Sequence, residues 1–422
     1  MKTEQLKTMN FRAVQLILLL FSTLVFSQID KDYQQNALAE KIYLQLDNQI
    51  YTSDKTIWFK AVLANAASHS LEISSSVLYV DLINPKNEIV ESKIVKVNKG
   101  IGKGHFDLDR SYSNGTYQIR AYTEWNKNFE DDFVTKKTIK IISEDNKTSE
   151  IVRNQEKKID KLKLPKQDSV ILKFFPEGGK LVASLKSKVG FKATDIYGNS
   201  TQVEGNIIND KGEIITSFKS NRIGLGSFVI DSVESSKTYK AKLIKTQNNQ
   251  LYDLPKVELN GYTLSVSKHK KFIVATVKHN TNVRSKITLS ASVRGTNYYK
   301  KTVSLIDGRY IFSIPKTMLP EGVTIFKLEN DASLPIAERL YFNLRKEDRL
   351  NIEVSLPNKE ISTREQVNFG LEVKNSKNEL EEAHNSILVY NKNLFGEIES
   401  ARENILTFFL LSSDIKGKIE EA

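Results

Sequence analysis

Apolar and polar residues alternate with period two in short runs over most of the chain after residue 40. In the run 42–47 (IYLQLD), Ile42, Leu44 and Leu46 point to one face of an extended chain. Turn sequences separate the runs, as at 84–87 (NPKN), where proline suits the second position of a type I turn. Short strands with a turn every 8–12 residues are typical of β-sandwiches. The sequence therefore predicts an all-β fold of tandem antiparallel β-sandwiches.

Two similar glycine-rich motifs stand at 102–106 (GKGHF) and 224–228 (GLGSF). A phosphate-binding loop of this composition leads into a helix, whose first amides hold the phosphate. Both motifs instead lead into alternating sequence, and each stands the same number of residues before a Thr-Tyr pair, at 116–117 and 238–239. We interpret them as markers of a repeated β-domain, with the glycines forming a sharp loop or bulge before a strand whose phenylalanine points inward.

A second internal match indicates that another domain of the same type begins near Leu350, since 51–59 (YTSDKTIWF) aligns with 361–369 (ISTREQVNF). A length of 422 residues suits three or four domains of about 100 residues each. The predicted organisation comprises a signal peptide at 1–27, sandwiches at 38–143, 169–261 and 262–345, a linker at 144–168, and an incomplete fourth sandwich at 350–422.

Two segments have helix-forming composition. The linker contains a stretch that suits a short amphipathic helix, although its polarity favours a solvated connection. Residues 398–411 (IESARENILTFFLL) predict a short helix near the C-terminus. Because the fourth sandwich has too few strands, we expect the chain to be a fragment of a longer protein or to end early in its reading frame.

The N-terminus has the pattern of a secretory signal. Lys2, Lys7 and Arg12 precede an apolar run at 13–26 that is short for a membrane span. Val25 and Ser27 are small residues at the positions that signal peptidase favours, so we expect cleavage after Ser27 and export. An uncleaved inner-membrane anchor is the alternative.

The chain has no cysteine, which excludes disulfides, thiolate metal sites and a lipid-bearing N-terminal cysteine. The net charge of +11 comes from lysines scattered along the chain, which favours solvation and at most weak attraction to an anionic envelope surface. We expect no nucleic-acid partner, because the sequence has no recognisable nucleic-acid-binding module.

Several stretches resemble a known family. At 40–47 (EKIYLQLD) and 51–59 the chain resembles the second macroglobulin domain of the α2-macroglobulin family. It is similar, more specifically, to Gram-negative envelope proteins built on macroglobulin-like domains. The motifs of that resemblance are NGTYQIRAYTEWNKNF (114–129), FFPEGGKLV (174–182), IPKTMLPEGV (314–323), PIAERLYF (335–342) and LLSSDIKGKIE (410–420). The resemblance implies immunoglobulin-like macroglobulin domains, often followed by a domain like the plug of TonB-dependent outer-membrane receptors.

The chain departs from the macroglobulin pattern in three ways. The Pro-Gly-Glu turn is Ser-Asp-Lys at 53–55, which still suits a turn. The Cys-Gly-Glu-Gln thioester is missing, and no bait-like segment interrupts the sandwiches unless the linker at 144–168 serves as one. The covalent protease-trap mechanism therefore does not carry over.

The sequence contains no recognisable catalytic or metal-binding pattern. None of its histidines has the spacing of a zinc site; they are His69, His105, His269, His279 and His384. The stretch from Asp107 to Gln118 begins like a calcium loop but lacks its glycine and its final glutamate. No nucleophile elbow is present. We predict that the protein is not an enzyme and has no cofactor, metal site or small-molecule substrate.

Aromatic residues at the end of the first sandwich are the candidate interaction surface. Tyr122, Trp125 and Phe129 lie partly off the strand alternation and could form an exposed patch. Core filling is the alternative for Tyr122, and the position of Trp125 stays open.

The sequence leads to two alternative predictions of function. The first is a non-catalytic exported envelope protein whose domains bind a protein partner in the periplasm or outer membrane, in association with a TonB-dependent receptor system. The alternative is an endopeptidase inhibitor of the macroglobulin type that acts without a thioester, with a protease as its partner.

Overall fold

The computed structural model describes residues 38–142, 170–244, 250–281, 284–356, 364–388 and 403–415, together with 417 and 419. The predicted signal peptide at 1–27, the linker at 144–168, residues 361–363 and residues 398–402 lie outside the described part. The chain divides into two compact units. The first comprises residues 1–159, 294–296 and 389–416, and the second comprises 160–293, 297–388 and 417–422.

The first sandwich consists of eight strands, which are β1 (Glu40–Leu46), β2 (Ile50–Thr52), β3 (Thr56–Asn65), β4 (Val77–Ile83), β5 (Ile89–Lys96), β6 (Ile101–Asp107), β7 (Gly115–Tyr122) and β8 (Thr135–Ile142). One sheet has the order β1-β3-β6 and the other β2-β8-β7-β4-β5. The pairing is antiparallel except between β2 and β8.

Alternate residues of these strands fill the space between the two sheets. On β7, Tyr117, Ile119 and Ala121 are buried, whereas the residues between them are more exposed. Ile57 from β3 and Phe106 from β6 are fully buried in the same core. Since each sheet contributes one apolar face, the period-two pattern of the sequence is the pattern of burial.

The second sandwich contains β9 (Ile171–Pro176), β10 (Leu181–Val182), β11 (Ser187–Thr194), β12 (Glu204–Asn209), β13 (Ile214–Lys219), β14 (Leu225–Ile230), β15 (Tyr239–Leu243), β16 (Leu251–Asp253) and β17 (Val257–Glu258). Its sheets have the orders β9-β11-β14 and β16-β15-β12-β13. Strands β10 and β17 form a separate short parallel pair.

The third sandwich contains β18 (Tyr262–His269), β19 (Phe272–His279), β20 (Ser285–Val293), β21 (Thr296–Leu305), β22 (Arg309–Pro315), β23 (Gly322–Asn330) and β24 (Pro335–Asn343). Its sheets have the orders β18-β19-β22 and β21-β20-β23-β24. An antiparallel pair, β25 (Asn351–Ser355) and β26 (Gly370–Lys374), follows with mostly exposed side chains.

The three sandwiches share one topology. In each, a three-stranded sheet faces a sheet whose four successive strands follow the same order along the chain; β5-β4-β7-β8 in the first corresponds to β13-β12-β15-β16 in the second and to β21-β20-β23-β24 in the third. This division of antiparallel strands between two sheets is immunoglobulin-like. The prediction of an all-β fold with tandem immunoglobulin-like sandwiches is confirmed.

The two glycine motifs occupy equivalent strands, β6 and β14. Gly104 lies opposite Phe59, and a Cβ atom at this glycine would be 2.6 Å from the Phe59 ring. Gly226 lies opposite Phe191, and its Cβ would be 2.4 Å from that ring. These glycines lie within strands and make room for a buried phenyl ring. The expected loop is found at Gly224, which has a φ of 69°. In both motifs the strand continues and no helix follows, which excludes a phosphate loop.

The Thr-Tyr pair that follows each motif also has a structural reason. The Tyr117 hydroxyl donates to the carbonyl of Ser113 at 3.1 Å, and the Tyr239 hydroxyl accepts from the amide of Glu234 at 2.9 Å. Both are tyrosine corners, in which the hydroxyl near the start of a strand ties down the preceding loop.

The described C-terminal residues contain the predicted short helix. It starts as α1 (Ile405–Thr407), capped by Asn404, and continues as a π-helical turn, Phe408–Ser412. Residues 364–369 of the second internal match form no strand, and Val367 and Phe369 are exposed there. No helix within the described residues is long and apolar enough to cross a membrane.

Candidate interaction surface

The candidate residues lie at or next to the loop that joins β7 to β8 at one end of the first sandwich. Tyr122 is the last residue of β7, and Trp125 and Phe129 follow in the loop. Two 3-10 turns, Trp125–Asn128 and Asp131–Phe133, shape it. In immunoglobulin-like sandwiches this connection is the F–G loop, which carries binding residues in antibody variable domains.

The loop aromatics form a continuous cluster. The rings of Trp125 and Phe129 meet edge to face with centroids 5.6 Å apart, and Phe129 contacts Phe133 at 5.3 Å. Trp125 is 40% exposed, whereas Phe129 and Phe133 are half-buried. The indole Nε1 of Trp125 donates to the carbonyl of Leu38 at 2.9 Å, which fixes the ring orientation. We call the cluster of Tyr122, Trp125, Phe129 and Phe133 the aromatic loop surface.

Tyr122 lies on the outer face of its sheet, opposite to the buried face of β7. Its ring stacks on Tyr79 of β4 at 5.6 Å, with an interplanar angle of 16°. The Lys127 ammonium lies 5.0 Å from the Tyr122 ring centre, and the Arg120 guanidinium lies 5.5 Å from it. Tyr122 therefore does not fill the core. Its link to the loop is the cation–π contact with Lys127.

Charged neighbours determine the electrostatics of this end of the surface. Arg120 pairs with the buried carboxylate of Asp81 at 2.8 Å, and Ser92 donates to the other oxygen of Asp81. Burial raises the pKa of Tyr122, and the Asp81 carboxylate raises it further, so the phenol stays neutral at physiological pH. Lys127 is likewise paired, with Glu124 at 2.7 Å. Neutral rings bordered by paired charges suit a partner that presents apolar side chains.

A buried asparagine holds the loop in place. Asn126 is fully buried; its side-chain amide donates to the carbonyl of Glu40 at 2.8 Å, and its oxygen accepts from the amide and hydroxyl of Thr123 at 2.9 Å each. The Glu40 carboxylate, also buried, accepts from the amides of Ser74 and Ser75 at 3.0 Å. These contacts pre-organise the loop before any partner binds.

The sequence did not indicate either of the buried residues that hold the loop, Asn126 and Glu40. The stretch 124–129 (EWNKNF) contains Asn126 and Asn128, and nothing local distinguishes the buried one from the exposed one. It also missed Trp58, which is 56% exposed on β3 and contacts His105 at 4.8 Å. Trp58 lies on the other sheet of the same sandwich, so it provides an internal reference for the effect of an exposed tryptophan.

The described residues contain no group of three or more histidine or carboxylate side chains that could hold a metal ion. Asp109 of the calcium-loop-like stretch accepts instead from the amide of Ser111 at 2.7 Å. A cavity of about 240 Å³ in the second unit is lined by Glu177, three lysines, two serines, a threonine, Val229 and Leu264. One of these lysines, Lys186, is already paired with Asp231 at 2.6 Å.

Comparisons with known proteins find only distant structural similarity. No family model matches the chain. No curated protein matches it either. Among solved structures, it is similar to a mutant of Salmonella α2-macroglobulin at 9% identity, covering 80% of this chain and 25% of that one, with a TM-score of 0.22. It is similar to Escherichia coli α2-macroglobulin activated by porcine elastase at 11% identity, covering 76% and 32%, with a TM-score of 0.24.

A tetra-tandem repeat from the extending region of a large adhesion protein is also similar, at 12% identity, covering 81% of this chain and 89% of that one, with a TM-score of 0.21. The chain spans about a quarter to a third of the macroglobulin chains that it matches. At these TM-scores the matches carry no family assignment, and the fold described above rests on strand pairing within this chain.

Proposed function

We propose that this protein is a non-catalytic, exported envelope protein that binds a protein partner through the aromatic loop surface of its first sandwich. The observation that carries the proposal is the loop itself: a partly exposed aromatic cluster, fixed by the buried Asn126 and bordered by Arg120 and Lys127. Aromatic residues on a pre-organised loop are typical binding hot spots, because few rotamers are lost on association.

The tandem sandwiches supply a scaffold for that loop. A repeated β-domain places one differentiated loop on an otherwise similar framework, which is how immunoglobulin-like proteins acquire binding sites. Export is supported by the N-terminal pattern of Lys2, Lys7 and Arg12 before an apolar run. The proposed partner is a protein of the periplasm or outer membrane. The resemblance to envelope proteins with plug-like domains supports a TonB-dependent receptor system.

The test is a pull-down from envelope extracts with three versions of the full chain. The wild-type chain and the Trp58→Ala variant are expected to recover the same partner, because Trp58 lies outside the aromatic loop surface. The double variant Trp125→Ala, Phe129→Ala is expected to recover at least about tenfold less, since loss of a hot-spot ring costs more than 1 kcal/mol. Equal recovery by the double variant and the wild type would reject the aromatic loop surface as the binding site.

The same material distinguishes the proposal from protease inhibition. After incubation with a panel of endopeptidases, we expect either no cleavage or nicked chains without bound protease. A protease that remains associated with the chain would favour the macroglobulin-type inhibitor instead.

A further inference from the structure

The first unit includes a short C-terminal segment, residues 403–415, that packs against the first sandwich. Phe409 of this segment is buried against Tyr43 of β1 and Ala64 of β3. Phe408 contacts the Tyr43 ring at 5.5 Å, and Phe409 contacts the His69 ring at 5.1 Å. The two phenylalanines therefore cover an apolar area on the sheet formed by β1 and β3.

The segment ends in a buried ion pair. The Lys41 ammonium donates to the Asp414 carboxylate at 2.7 Å and to the Ser413 carbonyl at 2.8 Å. The Lys41 and Asp414 side chains are only 13% and 8% exposed. The second carboxylate oxygen of Asp414 lies 3.9 Å from the guanidinium of Arg294, which is 7% exposed and belongs to the same unit. One carboxylate thus faces two buried cations.

This arrangement is unlike the surface ion pairs of the same sandwich. Lys55 and Asp54, for example, are 65% and 55% exposed, and such pairs contribute little to stability. Burial lowers the pKa of Lys41, which the Asp414 carboxylate opposes. If the carboxylate were neutralised, Lys41 and Arg294 would stay close together in a site shielded from water, which is strongly unfavourable.

We propose that residues 403–415 are a tethered ligand of the first compact unit, and that the Asp414 carboxylate determines whether the ligand is bound. The binding site consists of the apolar area at Tyr43 and Ala64 and the two cations Lys41 and Arg294. It recognises a helical turn with adjacent aromatic residues followed by a carboxylate. This proposal does not depend on the function proposed for the aromatic loop surface.

Hydrogen–deuterium exchange of the full chain tests the proposal. In the wild type, the amides of 403–415 should be protected, including that of Phe408, which donates to the Asn404 carbonyl at 2.9 Å. The Asp414→Asn variant should exchange about a hundredfold faster over 403–415, whereas β4 and β7 in the sandwich core stay protected. The matched control Asp54→Asn, which removes an exposed carboxylate of the same sandwich, should leave the segment protected.

A peptide with the sequence 403–415 provides the second arm. Asp414→Asn should also exchange faster at β1 and at residues 64–69, which the released segment no longer covers. Added to the Asp414→Asn chain, the peptide should restore protection there, and a peptide with asparagine in place of Asp414 should not. Three results would overturn the proposal: unchanged protection in Asp414→Asn, loss of protection throughout β4 and β7, or no effect of the wild-type peptide. Protection of the wild-type segment that depends on protein concentration would assign the ligand to a second copy and overturn the tethered arrangement.

Discussion

The first and second sandwiches share their strand order but differ in the loops that connect the strands. Both have a glycine opposite a buried phenylalanine, Gly104 with Phe59 and Gly226 with Phe191, and both have a tyrosine corner. The loop that follows the strand with the tyrosine corner, β7 or β15, differs. In the first sandwich it carries Trp125 and Phe129, and in the second the equivalent connection, 244–250 (IKTQNNQ), contains no aromatic residue.

This comparison separates framework from function within one chain. Features present in both sandwiches meet requirements of strand packing. In each sandwich a phenyl ring packs over a strand glycine, and a tyrosine hydroxyl is hydrogen-bonded to the preceding loop. Features present only in the first, the aromatic loop surface and the docked segment at 403–415, are not needed to build a sandwich of this topology. We therefore expect substitutions in the shared features to affect stability, and substitutions in the loop aromatics to affect binding.

The largest effect is expected from the shared glycines. In Gly226→Ala the new Cβ would lie 2.4 Å from the Phe191 ring and 2.6 Å from the Lys219 carbonyl, so the free energy of unfolding of the second sandwich should fall by about 3 kcal/mol. Gly104→Ala should destabilise the first sandwich for the same reason. Amide exchange of β11 and β14, or of β3 and β6, measures each effect.

Gly190→Ala is the matched control, because this strand glycine has no atom closer to its Cβ position than the Phe175 carbonyl oxygen at 3.7 Å. It should be neutral or stabilise by about 0.5–1 kcal/mol. If Gly226→Ala were as well tolerated as Gly190→Ala, the shared glycine motif would have no packing role. The assignment of shared features to stability would then be wrong.

The docked segment should respond to acid through His69. Burial, with Arg294 and Lys41 nearby, lowers the pKa of His69 to about 3, and the Phe409 ring packs against the imidazole. In the released state the ring is less buried, so we expect its pKa to rise toward the ordinary value of about 6.5. Because the pKa is lower in the docked state, docking is fully stable above about pH 6.5 and weakens as the pH falls. The loss should be at most about 1.4 kcal/mol per pH unit, since Arg294 and Lys41 still lower the pKa of His69 after release.

Exchange of residues 403–415, corrected for the intrinsic pH dependence of amide exchange, measures this loss. His69 has a φ of 58°, a conformation that asparagine tolerates, so His69→Asn keeps the backbone and removes the titrating ring. The variant should show no more pH dependence between pH 5 and about 6.5 than the amides of β4 and β7. A dependence identical to that of the wild type would show that another group is responsible.

Asn126→Ala should release the aromatic loop surface without unfolding the sandwich. The substitution leaves the Glu40 carbonyl and the Thr123 amide without their partner in a buried position, which costs about 2 kcal/mol. Amides of 123–134 should exchange faster, and partner recovery should fall even though the aromatic residues are intact. Asn128→Ala is the control, since its amide donates to the Trp125 carbonyl at 3.2 Å in an exposed position. Equal effects of both variants would contradict the anchoring role of Asn126.

The sequence predicted the parts of this molecule that depend on local pattern. Period-two alternation located β4, β5 and β7, and turn chemistry placed the hairpin at 84–87, because both are properties of neighbouring residues. It recognised the glycine motifs as repeats but gave the wrong reason for Gly104 and Gly226. The rings that require them, Phe59 and Phe191, lie on other strands, and only the register shows that they are opposite.

The candidate surface was predicted in part for the same reason. Off-pattern aromatics are visible in the sequence, so Tyr122, Trp125 and Phe129 were singled out, and they remain a prediction as a binding site. Their anchor, Asn126, depends on a contact with Glu40 on a distant strand. The pairing of Lys41 with Asp414 joins opposite ends of the chain, and neither residue has a neighbour that indicates burial.

The tyrosine corners provide the finest test of the shared framework. Tyr117→Phe and Tyr239→Phe each remove one hydroxyl, and each should cost about 1 kcal/mol. The two should not be equal, because Tyr239 accepts from the Glu234 amide whereas Tyr117 donates to the Ser113 carbonyl. An unpaired amide is tolerated less well than an unpaired carbonyl, so Tyr239→Phe should destabilise the second sandwich more than Tyr117→Phe destabilises the first. Amide exchange of β15 and β7 measures the two effects in parallel, with β23 of the third sandwich as the reference. A larger effect of Tyr117→Phe would mean that this tyrosine corner supports the aromatic loop surface as well as the strand. Residues of β7 would then contribute to both stability and binding.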